Sequence, residues 1–348
     1  MADELLTPTD RGLYCAAGDF HVDPWRPVPR AVVTHAHADH LTRDCGSYLI
    51  SEEGVHVTRA RLSEDAVIET LPYGRTIDIH GVRVSLHPAG HILGSSQVRI
   101  EHRGRVLVVS GDYKTEPDRT CAPFEPVRCH TFLTESTFGL PIYRWPAEGE
   151  VFAAINAWWR SNREKGLASL LFGYSLGKAQ RLLSGLDPSI GPILTHGAVE
   201  TMTAAYRVTG ATLPPTTYAG AFDVKEAKGR ALVIAPPSAQ GSRWAGRFGP
   251  SSGAFASGWM TMRGTRRRRA IDRGFVLSDH ADWAGLLGAI DATGAERVLV
   301  THGYASVLVK WLREHGRDAD VVPTRFIGER DDAPEPRDAE SEPEEAAS

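Results

Sequence analysis

Short apolar runs that stop at a histidine or a carboxylate recur along this chain and constrain it more than any other feature. Ala31 to Val33 precedes His35, Val84 to Leu86 precedes His91, and Val106 to Val109 precedes Ser110-Gly111-Asp112. Later, Gly274-Phe-Val-Leu-Ser278 leads to His280, and Arg297-Val-Leu-Val-Thr301 leads to His302. A short apolar run bounded by loop residues reads as a buried strand, and chemistry at its end sits on a loop held by a rigid scaffold. Repetition of strand and then polar group predicts a layered α/β architecture in which several strand ends serve one site.

The pattern changes from about Ile142. Val151, Phe152, Ile155, Trp158 and Trp159 fall on one face of a helix, and Leu167 to Phe172 follows as a strand. Apolar strands at Pro192 to Leu194 and Ala231 to Ala235 continue the alternation, so residues 142 to 250 read as a small α/β domain. This domain interrupts a larger one formed by residues 1 to 141 and 251 to 328. Residues 329 to 348, rich in Pro, Glu, Asp, Ala and Ser, lack the apolar content to fold. Within the insertion, Gly173-Tyr174-Ser175-Leu176-Gly177-Lys178 fits a tight turn entering a helix. Such a helix start can seat a phosphate with help from Ser175 and Lys178; a glycine turn with a snorkelling lysine fits equally well.

With 348 residues and 42% apolar content, the chain can bury a large core. Its first residues show no basic region followed by an apolar one, and no apolar stretch approaches the ~20 residues of a membrane span. A cytoplasmic location with no membrane partner is expected. Cys15, Cys45, Cys121 and Cys129 form no Cys-x-x-Cys pair, and reduced thiols are expected of them. The net charge of −4 is unevenly placed: residues 331 to 348 hold eight acids against Arg337, so the rest of the chain is net basic by three. Arg263 and Arg266 to Arg269 form the densest basic run, which suits either a phosphate backbone or solvent.

The most specific stretch is Thr34-His35-Ala36-His37-Ala38-Asp39-His40. If the chain runs extended here, alternation places His35 and His37 on one side, where they can share an ion, while Asp39 and His40 face a second. His91, in the glycine-flanked loop Pro88-Ala89-Gly90-His91-Ile92-Leu93-Gly94-Ser95, is a third nitrogen ligand. Asp112 can bridge two cations about 3.5 to 4 Å apart. Among the other histidines, His87 and His196 are expected in structural or exposed roles.

Asp23 upstream of His-x-His-x-Asp-His, then His91 and Asp112, resembles the metallo-β-lactamase superfamily. Thr134-Glu135-Ser136-Thr137-Phe138-Gly139, Leu176-Gly177-Lys178-Ala179-Gln180, Ser278-Asp279-His280 and Val300-Thr301-His302-Gly303 resemble motifs of its β-CASP nucleases. That group contains Artemis, RNase J and the cleavage and polyadenylation endonuclease, and the likeness is strongest to bacterial ligase-associated DNA exonucleases. It implies a four-layer αββα sandwich with an inserted small α/β domain. It also implies two divalent metals, zinc or, for turnover, manganese: one held by His35, His37, His91 and Asp112, the other by Asp39, His40, Asp112 and His302.

The same resemblance implies a phosphodiesterase in which the cations activate water and neutralise the phosphate. His280, oriented by Glu135, is the expected general acid, with Asp39 and Asp112 completing the catalytic set, and Asp23 orients the ligand loop. The implied partners are nucleic acid, with DNA ends preferred, and a DNA ligase or helicase in DNA repair. A histidine at position 302 is more typical of RNA enzymes of this family, so RNA processing is the alternative. A small-molecule thioesterase or lactonase would not need Glu135, His280 or the insertion, and the full ligand set argues against an inactive binding subunit.

Overall fold

The computed structural model describes residues 5–223, 227, 229–262, 264 and 271–326. Arg263, the Arg266 to Arg269 run and the acidic stretch 329 to 348 lie outside the described residues. The architecture is mixed α/β, built on three sheets. The first has six strands in chain order, Thr7–Pro8, Leu13–Cys15, Phe20–Val22, Arg30–Val32, Ser47–Ser51 and Ile68–Leu71. Its last four strands run parallel.

The second sheet has seven strands. An antiparallel part made of Thr76–Ile79, Val82–Pro88, Ser96–His102 and Arg105–Val109 continues into a parallel part made of Thr131–Thr134, Arg297–Val300 and Asp318–Val321. Strand alternation sends every second side chain to the facing sheet. Leu13, Phe20, Val22, Val32 and Leu49 of the first sheet therefore share one buried core with Val84, Leu86, Val98, Ile100, Val109, Leu133 and Leu299 of the second. The outward residues Val108, Phe132, Val298 and Val300 pack under the helices Trp283–Thr293 and Ala305–Glu314.

The third sheet is all parallel, with strands in the order Thr217–Tyr218, Ile193–Thr195, Leu232–Ala235, Ala168–Phe172, Ser251–Ala256 and Arg273–Phe275. Helix Glu148–Glu164 covers it, burying the expected Val151, Phe152, Ile155, Trp158 and Trp159. The residue range differs from the sequence expectation, because Ser251–Ala256 and Arg273–Phe275 pair here and not in the resuming first part. Parallel partners are distant in sequence, so the small-residue run Ser-Ser-Gly-Ala-Phe-Ala carries no local sign of its sheet. All four cysteines are free. No helix among the described residues is long and apolar enough to cross a membrane.

Candidate metal centre

The chain leaves strand Arg30–Val32 and is pinned at once by a buried carboxylate. Asp23 accepts the Thr34 N–H at 2.7 Å and the Thr34 hydroxyl at 2.6 Å, and takes the Nδ1 proton of His40 at 2.7 Å. It holds a left-handed φ of 42°, an uncommon conformation that persists only where surroundings over-determine it. The loop is not extended throughout, as the alternation argument had it. His40 and Leu41 donate their N–H groups back to the His37 carbonyl at 3.1 and 2.9 Å, and this turn folds His40 beside His35. Ring centroids of His35 and His40 are 4.1 Å apart, and those of His35 and His37 4.9 Å.

Two more strand ends bring the remaining groups. His91 lies 4.8 Å from His35 and 4.9 Å from His37 between ring centroids. Asp112 follows Arg105–Val109 through Gly111, where φ is 58° and an added Cβ would lie 2.6 Å from Thr34 Cβ. Only glycine lets the two loops approach this closely. Asp112 Oδ2 faces His35 Nε2 at 3.6 Å, His40 Nε2 at 3.6 Å and His91 Nε2 at 3.9 Å, while Oδ1 faces His302 Nε2 at 3.2 Å. Asp39 lies 3.8 Å from His40 Nε2. Donor atoms of His35, His37, His91 and Asp112 all lie within 4.8 Å of one another, a cluster able to hold a divalent ion.

Hydrogen bonding fits these residues to a cation. His91 donates its Nδ1 proton to the Asp279 carbonyl at 2.9 Å, and His37 donates its Nε2 proton to the Leu176 carbonyl at 3.1 Å. Their other nitrogens, His91 Nε2 and His37 Nδ1, are then both lone pairs, yet they lie 3.1 Å apart. Lone pairs at that distance repel unless a cation draws them together; nitrogens about 2.0–2.1 Å from a tetrahedral ion are about 3.3 Å apart. His35 Nε2, His40 Nε2 and His302 Nδ1 are buried with no hydrogen-bond partner among the described residues, and Asp112 Oδ1 and His302 Nε2 face only each other. Each such orphan costs about 1–3 kcal/mol, so their concentration at one point marks a place for a ligand and not for packing.

The electrostatics of three of the imidazoles agree. Burial, reinforced by neighbouring imidazoles, pushes His35 and His91 well below the usual imidazole range, and burial also lowers His37. These rings are therefore neutral at pH 7, the form that ligates. Burial opposes a charge on His40, but Asp39, Asp112 and Asp23 outweigh it and raise its pKa to about 10. Burial likewise works to raise Asp112, yet His40 and His302 hold it well below the ordinary carboxylate range.

Beside this cluster, His280 Nδ1 meets both oxygens of Glu135, at 3.0 and 2.9 Å, and both side chains are buried. Glu135 is itself fixed by the Tyr113 N–H at 2.7 Å. Trp145 Nε1 donates to the His280 carbonyl at 2.8 Å, and Phe138 packs edge-on against the imidazole at 5.9 Å. Donor atoms of Asp112, Glu135 and His280 also lie within 4.8 Å of one another.

No family model matches the chain. A probable DNA ligase of Opitutus terrae is 34% identical over 313 residues, covering 89% of this chain and 30% of that protein. Endoribonuclease YSH1 of Saccharomyces cerevisiae is 33% identical over 124 residues, 34% of this chain and 15% of that protein. Endoribonuclease ysh1 of Aspergillus fumigatus is 29% identical over 196 residues, 48% of this chain and 22% of that protein. The chain belongs to the β-CASP group of the metallo-β-lactamase superfamily. It spans less than a third of the length of these relatives. A solved structure, a protein of unknown function from Enterococcus faecalis V583, shares the fold with a TM-score of 0.57 at 12% identity, over 85% of this chain and 80% of that one.

The β-CASP motif Leu176-Gly177-Lys178-Ala179-Gln180, where the turn-helix pattern allowed a phosphate seat, turns its charge toward the protein. Lys178 is fully buried and pairs with Asp279 at 3.0 Å, and Ser175 is buried too, its carbonyl accepting from Gln180 Nε2 at 3.0 Å. Snorkelling fails for the same reason. His196 caps helix Gly197–Val208 by accepting the Ala198 N–H, and His87 is half-buried beside Ser85, as expected of structural histidines. Two features had no sequence signal. Phe326 stacks on His40 at 4.4 Å and lies edge-on to His302 at 5.8 Å, closing that side of the centre. Asp279 serves through its carbonyl, a group every residue has.

Proposed function

We propose that this protein is a two-metal phosphodiesterase that cleaves nucleic acid, with DNA ends as the preferred substrate in end processing or repair. The observation that carries the reading is the junction of two groups on Asp112: the imidazole cluster on one side and the Glu135-held His280 on the other. A small-molecule hydrolase has no use for the second. Bound divalent ions, zinc by the nitrogen-rich donor set or manganese for turnover, would activate water and neutralise the phosphate oxygens. His35, His37, His91 and Asp112 would hold one ion, and Asp39, His40, Asp112 and His302 the other.

The chain's own residues supply the rest. Glu135 fixes the His280 ring through Nδ1, and Nε2 would deliver a proton to the leaving oxygen. Asp23 aims His40 and locks the ligand loop through Thr34. The shared core of the first two sheets, with helices over the second, supports the four-layer sandwich, and the continuous third sheet supports an insertion running from about 142 to about 277. The resemblance of the Opitutus ligase over nearly the whole chain supports a role beside a DNA ligase.

The second reading is RNA processing, favoured by His302 and by the YSH1 relatives. Linear single-stranded DNA, its covalently closed circle and linear RNA of the same sequence separate the two, assayed at equal nucleotide concentration. Degradation of linear DNA with a spared circle supports the first reading. Rapid cutting of the circle overturns the end requirement, and faster cleavage of RNA than DNA assigns the protein to RNA.

A further inference from the structure

The insertion reaches into the metal centre with something other than a substrate-binding surface. The Leu176 carbonyl receives the His37 Nε2 proton at 3.1 Å. One residue on, Gly177 adopts φ 87° against the His91 loop, where an added Cβ would sit 2.2 Å from Ile92 Cγ2. Lys178 Nζ then pairs with Asp279 Oδ2 at 3.0 Å, both side chains being buried. Arg181 lies 3.5 Å from Asp279 Oδ1, donates to the Ser278 carbonyl, and is held from behind by Asp118 at 3.2 Å and by Glu148. Asp279, clamped by these two cations, presents the carbonyl that receives the His91 Nδ1 proton at 2.9 Å.

We infer that the segment Leu176 to Arg181 of the insertion is a structural part of the metal centre, its residues acting as positioning residues for His37 and His91. The inference rests on the reading of these histidines as metal ligands. The groups that accept a ligating histidine's second proton set its tautomer and aim, and their loss typically lowers metal affinity about 10- to 100-fold. For His37 that group belongs to the insertion itself. For His91 it is a carbonyl whose residue is gripped by two cations of the insertion. Seating of the insertion and occupancy of the cluster are therefore linked: whatever lifts this segment loosens two ligands, and filling the cluster holds the segment down.

The test begins with the wild-type protein, titrated with cobalt(II) and followed by ligand-field absorption in competition with a chelator. Failure of the wild type to bind would sink the metal reading itself. Given binding, Gly177→Ala, which keeps every charge but forces the turn off Ile92, and Lys178→Met are each expected to weaken cobalt about 10- to 100-fold and shift its absorption. Lys178→Arg should restore most of the affinity. Lys178→Met combined with Asp279→Asn should be no worse than Asp279→Asn alone. Arg160→Ala, which breaks an exposed ion pair with Asp187 elsewhere in the insertion, should bind as the wild type does.

Hydrogen exchange on the wild type, with and without metal, needs no variant to fold. Metal should slow exchange in peptides spanning 176 to 184 as well as in the ligand loops. Wild-type affinity and spectrum in folded Gly177→Ala and Lys178→Met, or protection confined to the loops around 34–40, 91 and 112, would overturn the inference.

Discussion

Two turns in this molecule follow buried strands and carry charged residues, yet they differ in how they work. In the loop from Thr34 to His40 the chemistry is in side chains, and four of the groups concerned lie within six residues. In the turn from Gly173 to Lys178 it is in a backbone carbonyl and in charges whose partner, Asp279, is about a hundred residues away. The first announces itself in sequence because residue types are the signal. The second cannot, since a lysine meant for a phosphate and a lysine meant for a buried aspartate have the same letters around them. A positive charge near a site may either meet substrate or hold the protein's own frame, and burial decides which.

The largest expected effect falls on the first turn's partner. Asp112→Asn removes the carboxylate that faces His35, His40, His91 and His302, and should abolish cleavage and reduce binding of both ions, read by rate and elemental analysis together. Retention of full metal content would confine Asp112 to a lesser role. His280→Ala comes next: metal content should stay at the wild-type level while the rate falls about 100- to 10,000-fold, the usual range for loss of a general acid. Parallel loss of metal would make His280 a ligand.

Asp23→Asn should be milder. It keeps the shape but weakens the grip on Thr34 and His40, so metal affinity is expected to fall about 10- to 100-fold in a chelator competition. An unchanged affinity would mean that the loop holds itself. The smallest effect sharpens the contrast directly. Ser175→Ala should leave the salt dependence of DNA binding unaltered, because this residue is buried. A decrease of about one in the slope of log affinity against log salt would restore the seat.

Much of the frame was legible. The runs at 31–33, 84–86, 106–109 and 297–301 lie on strands Arg30–Val32, Val82–Pro88, Arg105–Val109 and Arg297–Val300, because β-branched runs bounded by polar loops have few other uses. The residues proposed as ligands stand out in the sequence for the same local reason. The end of the insertion was not, since Ser251–Ala256 joins its sheet through parallel partners at 168–172 and 273–275 that no local pattern reveals. Nor was Phe326 over His40, a contact between the loop after the first sheet's fourth strand and the last described residue. Alternation along an extended chain does group His35 with His37, but it does not foresee the turn at His37 that folds His40 beside His35, facing the same oxygen of Asp112.

Metal content tests the central claim most directly. Purified protein, stripped with chelator, reconstituted and desalted, should carry two divalent ions per chain by elemental analysis, because six side chains, His35, His37, Asp39, His40, His91 and His302, gather about the one carboxylate of Asp112. Less than one ion per chain after reconstitution would contradict the account, leaving the buried imidazoles without the cation that their geometry requires.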